Sequence, residues 1–266
     1  MALNIFVTAK QVIDPEMPLS AFSIDEEKNR VDTPTAFPPV INGFDEYAVE
    51  AALRIKDNQD AQITVLSVGN QFDLNIMRKS LAMGADALIL CQDPAFSNLP
   101  DSYVTGLILH AAIQKMGAFD LIICGRQASD WDNAQTPLYL AEMLGIPCLP
   151  LGQRVDVSND HVQVEQIIPD GFRLAEAPLP ALVTVSNELG EPRYPTMRNI
   201  MTANRKRPTV WKLDDLDLEP DQLISQLEIV EMLFPERSQR CEIIQAEDAA
   251  AAGQKLATIL RQADLI

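Results

Sequence analysis

The amino-acid sequence predicts an α/β protein built around a parallel β-sheet, and three observations support this. Short apolar runs alternate with segments of helical periodicity up to Pro150. The runs are apolar throughout, as expected for strands that helices cover on both faces. The chain has 266 residues, 47% of them hydrophobic, so it can bury such a core as one domain.

The predicted elements alternate in order along this first part of the chain. Glycines at positions 84 and 145 end two of the helices, since glycine readily adopts the left-handed conformation of a helix C-terminus. The predicted strands are residues 5–7, 63–68, 87–91 and 121–124, and the predicted helices are residues 46–56, 74–83, 102–116 and 136–144.

The pattern changes after Pro150. Residues 153–157 and 161–168 predict a hairpin around residues 158–160, and residues 181–185 predict another strand. A polar segment with several prolines and an acidic, loosely periodic stretch follow, and an amphipathic helix is predicted near the end, over residues 246–265. We predict one domain over residues 1–208 and an extended C-terminal arm over residues 209–266.

Composition excludes several classes of function. The net charge is −17, and so acidic a surface repels phosphate backbones, which argues against nucleic-acid binding. The four cysteines form no CxxC pair and there are two histidines, so no metal site is expected and the thiols suit a reducing cytoplasm. The N-terminus shows no signal-peptide pattern and no apolar run is long enough to span a bilayer. We expect a soluble, cytoplasmic protein without membrane insertion.

The segment after the fourth strand, CGRQASDWDNAQTP, is the most informative one. It turns at a glycine and runs through small and polar residues into a helix, whose N-terminal amides favour a phosphate group. An ordinary turn rich in capping residues has the same composition. There is no P-loop lysine, so nucleotide hydrolysis is not expected. The candidate ligand residues are Gly125, Arg126, Gln127, Ala128, Ser129, Asp130, Trp131, Asp132, Asn133, Ala134, Gln135 and Thr136.

Other loops belong to the same edge of the predicted sheet, because parallel strands collect ligands beyond their carboxyl ends. No GxGxxG motif follows the first strand, so a standard dinucleotide-binding fold is not favoured. The loop before the first helix is a plausible N-capping loop that could equally bond an adenine. The candidates are Thr8 and its neighbours up to Lys10, then Asn42, Gly43, Phe44 and Asp45, and Val68.

Five blocks of sequence resemble the β subunit of electron-transfer flavoproteins. They are VTAKQVID, INGFDEYAVEAALRIKD, SLAMGAD, GRQASDWDNAQ and LGEPRYPTMRNIMTANRKRP, which occur in the family's order over most of residues 1–208. The resemblance implies an adenine-nucleotide α-hydrolase-like domain paired with an α subunit that carries the redox-active FAD. It also implies that the candidate residues above hold a structural AMP.

The resemblance leaves two branches of the family open. In the electron-bifurcating branch a second FAD takes the place of AMP. Ala134, Gln135 and Pro137 resemble the bifurcating pattern DGDTAQVGP, but Trp131 replaces its glycine. An indole there could fill the space of a flavin ring or point to solvent, and AMP is the favoured expectation.

The resemblance also implies a partner-recognition loop over residues 185–207. In the family an apolar residue, usually leucine, inserts into acyl-CoA dehydrogenases, and Met197 stands at its position here. No acidic residue lies between Pro192 and Leu213, so this segment is basic and could steer an acidic partner, or could simply be a solvated helix end. Thr202 and Asn204 replace common lysines, which leaves the identity of the donor open. The predicted docking residues are Glu191, Arg193, Tyr194, Met197, Asn199, Ile200 and Met201.

The resulting hypothesis is an electron-carrier subunit without catalytic residues of its own. Electrons would pass from an acyl-CoA dehydrogenase or similar donor, as in fatty acid β-oxidation, through FAD held mainly by the α subunit. The acceptor would be a membrane quinone oxidoreductase or an iron–sulfur protein. The alternatives are an electron-bifurcating, NADH-oxidising flavoprotein and, from another class, a freestanding adenine-nucleotide sensor.

Overall fold

The computed structural model describes residues 2–27, 29–32, 36–96, 101–234 and 241–266. The chain divides into two compact units, Met1–Val230 and Glu231–Ile266. No helix within the described ranges combines the length and the apolarity needed to cross a membrane.

The first unit contains one large sheet and two small strand pairs among the described residues. The strands are β1 (Leu3–Thr8), β2 (Gln11–Val12), β3 (Ser23–Asp25), β4 (Arg30–Asp32), β5 (Val40–Ile41), β6 (Ala61–Gly69), β7 (Ala87–Gln92), β8 (Leu121–Gly125), β9 (Cys148–Ser158), β10 (His161–Ile168), β11 (Gly171–Pro178), β12 (Ala181–Val185) and β13 (Thr209–Trp211). The α-helices are α1 (Gly43–Asn58), α2 (Leu74–Met77), α3 (Lys79–Met83), α4 (Ser102–Met116), α5 (Thr136–Leu144), α6 (Met197–Ala203) and, in the second unit, α7 (Ala249–Gln262).

The large sheet has the strand order β11-β10-β9-β12-β8-β1-β6-β7-β13. In this spatial order, the seven strands β9, β12, β8, β1, β6, β7 and β13 are parallel to their neighbours among these seven. Strands β10 and β11 extend the sheet beyond β9 as antiparallel strands. The pair β2–β5 and the pair β3–β4 are antiparallel and lie outside it. The predicted α/β class with a parallel sheet is therefore confirmed.

The core lies on both faces of this sheet. Ile5 and Val7 of β1 belong to the cluster that includes α1, whereas Phe6 between them belongs to the cluster that includes α4. Alternate side chains of a strand point to opposite faces, so a strand covered on both sides must be apolar at every position. This is the physical reason for the uninterrupted apolar runs in the sequence.

Several elements differ from the expectation. The helix predicted over residues 74–83 is divided at Arg78, whose ψ of −11° interrupts it, and α3 then packs against α6. The sequence does not indicate strand β11. Its more buried residues, Ala175 and Ala177, are small, and its large apolar residues, Phe172 and Leu174, are exposed, so the hydrophobic pattern expected of a strand is missing. Within the segment predicted only as polar, α6 begins where the Thr196 hydroxyl accepts a hydrogen bond from the Asn199 amide.

The first compact unit continues past residue 208, where the predicted arm begins. The strand β13 pairs in parallel with β7 directly after that position. Four leucines beyond it are buried in the same cluster as α4, at positions 213, 216, 218 and 223. This stretch is rich in acidic residues and only loosely periodic, so its sequence does not indicate that these leucines are buried. That the chain after residue 208 wraps a partner subunit stays a prediction.

We expect the two possible boundaries to behave differently on truncation. A chain ending at residue 208 loses β13 and four buried leucines. At about 2–5 kcal/mol for each leucine the loss is about 8–20 kcal/mol, which is as large as the margin of about 5–15 kcal/mol that domains typically have. This chain should therefore fail to fold. A chain ending at Val230 is the control and should keep the urea-unfolding midpoint of the full chain, measured by far-UV circular dichroism. Equal midpoints for both truncations would contradict the structural boundary.

Candidate functional site

The site lies where the sheet changes direction. From β1 the chain builds outward through β6 and β7 on one side, and through β8 and β12 on the other. Sheets of this kind usually bind ligands at the carboxyl edge where the strand order reverses. We call the region between the segments that leave β1 and β8 the crevice. The helix α1 begins at the same edge, so three chain segments meet there.

The buried Asp45 carboxyl joins these segments. One oxygen accepts a hydrogen bond from the Lys10 amide at 2.7 Å, beyond the end of β1. The other accepts from the Gly125 amide at 3.2 Å, at the end of β8. Burial raises the pKa of Asp45 from 3.8 to about 7, although both amides, the Asn42 side chain and the Lys10 charge act in the opposite direction.

Asn42 makes a second connection from the start of α1. Its side-chain nitrogen donates to the Gln127 carbonyl at 2.8 Å, and its side-chain oxygen accepts from the Ser129 amide at 3.2 Å. The residue occupies the N-cap position of α1, but its side chain makes no capping bond. The capping role suggested by the sequence is thus replaced by a bridge to the loop after β8.

Gly125 is required by the closeness of this contact. A Cβ atom there would lie 2.4 Å from an Asp45 carboxyl oxygen and 2.7 Å from the Phe44 carbonyl carbon. The next residue, Arg126, places its guanidinium 5.3 Å from the centre of the Phe44 ring. Gly43, by contrast, has nothing within 4 Å of an added Cβ.

The rest of the predicted loop is shaped by its own polar contacts. Asp132 and Ala134 adopt positive φ angles of 51° and 54°. The Gln127 side chain donates to Asp132 at 2.7 Å, and the Asn133 side chain donates to the Ser102 hydroxyl at 3.4 Å. Trp131 lies at the surface with 41% of its area exposed.

Two features of this loop fit a bound phosphate. The Ser129 hydroxyl is buried and has no hydrogen-bond partner in the described part of the protein. No side chain caps α5, whose N-cap residue is Gln135. Pro137 has no N–H and the Leu138 and Tyr139 amides donate to the Gln135 carbonyl, so the Thr136 amide is the first-turn donor left for a ligand, at the helix end whose dipole favours an anion. Thr8, which bonds Cys124, and Val68 lie at the same carboxyl edge. The crevice thus brings together the loops that the sequence named as ligand candidates.

A second group of residues surrounds the predicted recognition loop. The Arg193 guanidinium bonds Glu50 at 2.8 Å and Asp57 at 2.7 Å, both on α1. Arg54 of the same helix bonds Glu50 at 3.0 Å and donates to the Leu189 carbonyl at 2.6 Å. Burial by itself would raise the pKa of Glu50, but the hydrogen bonds from Arg193 and Arg54 outweigh it and hold that pKa below its usual value.

The apolar docking candidates are exposed. Tyr194 is 92% exposed and Met197 is 74% exposed, and Ile200 and Met201 follow on α6. Glu191 and Asn199 are also exposed. The basic residues of this loop form two sets. Arg193 bonds α1, and Lys206 donates to the Ala85 and Asp86 carbonyls. The other set is exposed and consists of Arg198, Arg205 and Arg207.

Glu50 and Asp57 were missed by the sequence analysis. Both lie on α1 about two helical turns apart, with Arg54 between them. Such a mixture of charges is typical of an ordinary solvated helix face, so the sequence gives no sign of their role. In the structure they bond Arg193 of the predicted recognition loop, which lies 143 residues after Glu50 and 136 residues after Asp57.

Comparison with known proteins identifies the family to which this chain belongs. The family model for the electron transfer flavoprotein domain matches residues 38–216, which contain α1, the loop after β8 and the recognition segment. The chain belongs to the electron transfer flavoprotein family, as a β-subunit member. This confirms the family resemblance of the sequence.

Curated proteins of the electron transfer flavoprotein family align with this chain over most of its length. Electron transfer flavoprotein subunit beta of Thermoanaerobacterium thermosaccharolyticum is 35% identical over 226 residues, 83% of each chain. The subunit of the same name from Megasphaera elsdenii is 38% identical over 211 residues, 77% of this chain and 76% of that one. Caffeyl-CoA reductase-Etf complex subunit CarD of Acetobacterium woodii is 34% identical over 220 residues, 82% of each.

A pair of glycine substitutions tests the geometry of the crevice. Gly125→Ala places a methyl group against Asp45 and the α1 backbone, so we expect a loss of about 1–3 kcal/mol in the free energy of unfolding. Gly43→Ala is the matched control, because its methyl group meets open space. Urea denaturation followed by circular dichroism measures both, and similar stabilities for the two variants would show that the contact between β8 and α1 is not close.

Proposed function

We propose that this chain is the β subunit of a heterodimeric electron transfer flavoprotein that binds an adenine nucleotide in the crevice between β1 and β8. Its α-subunit partner would hold most of the FAD, which takes electrons from a dehydrogenase and passes them to a quinone-linked or iron–sulfur acceptor. The observation that carries the proposal is the phosphate-compatible loop between β8 and α5, with its buried, unpartnered Ser129 hydroxyl.

AMP is the favoured occupant of the crevice. In this assignment, the Ser129 hydroxyl and the Thr136 amide at the start of α5 hold the phosphate, and Asn42 and Asp45 keep the surrounding loops in place. A structural nucleotide needs no acid, base or nucleophile from this chain. The chain's contribution to electron transfer is to bind the partner subunits and orient them, since flavin chemistry depends on position and environment.

A second FAD is the alternative occupant, as in an electron-bifurcating flavoprotein that oxidises NADH. One observation favours it: the Trp131 indole is 41% exposed, so it is not enclosed by the fold as a side chain filling a buried ligand space would be. Ala134 and Gln135 follow in the same loop as small or polar residues. A relative in this family is named as a subunit of a caffeyl-CoA reductase complex, so reductase assemblies are included among the candidate partners.

The recognition segment is proposed to bind the electron donor, an acyl-CoA dehydrogenase or a protein of similar type. Met197 and Tyr194 present apolar surface to solvent, and exposed arginines flank them in a protein of net charge −17. Such an arrangement combines an apolar contact with attraction of an acidic partner. Arg193 holds the segment on α1, so its role is to position the exposed residues.

The count of cofactors tests this proposal. The chain is co-expressed with its α partner, the complex is purified and denatured, and released FAD and AMP are quantified per heterodimer. We expect one FAD and one AMP. Two FAD without AMP would replace the proposal by the bifurcating alternative, and no stable heterodimer with no nucleotide would refute the assignment of the crevice.

Substitution at the exposed methionine tests the docking assignment. Met197→Ala removes the exposed side chain without touching the crevice, so kcat/KM for electron transfer from the donor dehydrogenase should fall about tenfold or more while cofactor content stays unchanged. Leu19→Ala is the control, because Leu19 is 51% exposed on a 3-10 helix near the N-terminus. An unchanged rate for Met197→Ala would show that Met197 does not bind the donor.

A further inference from the structure

The Lys10 side chain crosses the crevice. Lys10 follows β1, and its backbone amide is fixed by the Asp45 carboxyl at 2.7 Å. Its ammonium group lies 2.7 Å from one Asp130 oxygen and 2.8 Å from the other, on the loop that leaves β8. The two side chains are 38% and 18% exposed, so the pair is partly withdrawn from water.

The Lys10–Asp130 pair and Asn42 hold adjacent parts of the loop after β8 from two sides. Asn42 holds the loop at Gln127 and Ser129 from the α1 side. Lys10 holds the next residue from the β1 side, and no other ion pair connects β1 and the β8 loop within the ranges that the structure describes. The residue it holds, Asp130, directly follows Ser129, whose buried hydroxyl is the unpartnered donor of the site.

We propose that the Lys10–Asp130 ion pair is a latch that holds the loop after β8 closed and sets the rate at which the nucleotide leaves. This inference rests on the proposed function, since it concerns the nucleotide of that crevice. A ligand bonded to Ser129 can leave only as fast as this loop moves, and the loop must part from Lys10 to move away from β1. Lys10 is in this assignment a positioning residue.

A direct role of Lys10 makes the opposite prediction. If the ammonium group bound the phosphate itself, Asp130 would compete with the phosphate for it. Removing the Asp130 charge would then free Lys10 and slow nucleotide release, whereas removing the Lys10 charge would accelerate it. In the latch both changes break the same contact, so both accelerate release.

The experiment measures release of radiolabelled AMP from the complex with the α subunit after a chase with excess unlabelled AMP. Lys10→Gln and Asp130→Asn should each release AMP about two- to fivefold faster than wild type, the range expected for a partly exposed ion pair. The double variant should be no faster than either single variant, because both remove one interaction. Lys56→Gln, which breaks the Lys56–Asp86 pair away from the crevice, is the matched control with an unchanged rate.

Salt dependence separates a latch from a general loss of structure. Raising sodium chloride from roughly 50 mM to roughly 500 mM screens partly exposed charges, so release from wild type should accelerate, while release from Lys10→Gln should depend less on salt. Opposite shifts of the two single variants, or rates equal to wild type, would overturn the latch while bound AMP still supported the proposed function. A wild-type complex that contains no AMP would instead refute the proposed function itself.

Discussion

The buried Asp45 carboxyl is the interaction on which the rest of the site depends. It satisfies two backbone amides at the ends of neighbouring parallel strands, and buried amides without acceptors would destabilise the fold. A carboxyl group is itself costly to bury, and its pKa of about 7 shows that the surrounding bonds offset this cost only in part. The absence of a side chain at Gly125 is what allows the helix start to approach β8 closely enough for these bonds.

The helix α1 connects the two candidate sites. Its first turn carries Asp45 and adjoins the crevice between β1 and β8, and its later turns carry Glu50 and Asp57, which bond Arg193 of the predicted recognition loop. Asp45 and Asp57 are separated by about 18 Å along a straight helix, given a rise of about 1.5 Å per residue. The helix packs against the sheet through its buried face, so both groups of residues are carried by one element of the core.

The few cations of this acidic chain have specific positions. Arg193 and Lys206 attach the segment around α6 to α1 and to the turn before β7, and Lys10 joins β1 to the loop after β8. The side chains of Arg198, Arg205 and Arg207 are exposed near Met197, and within the described ranges none of them forms an ion pair. Some cations of this chain thus hold segments of the fold together through carboxylates or backbone carbonyls, whereas others are exposed.

The sequence by itself determined the parallel sheet, the family and the loops that form the crevice. Apolar periodicity and helix-stopping glycines are local properties, and they predicted α4, α5 and β12 with the bounds that the structure shows. The placement of Thr8 and Gly125 at one edge follows from the same pattern, because parallel strands end together. Asn42 reaches this edge as the residue before α1.

Tertiary structure alone decided the elements and contacts that depend on distant partners. β11 and β13 are edge strands whose existence depends on pairing with β10 and β7, and their own residues show no clear alternation. Arg193 meets acidic residues far away in the chain, so its attachment to α1 has no signal in its neighbourhood. Likewise, the exposure of Trp131 results from the fold of its loop, since an indole in that sequence position is equally compatible with a buried or a surface site.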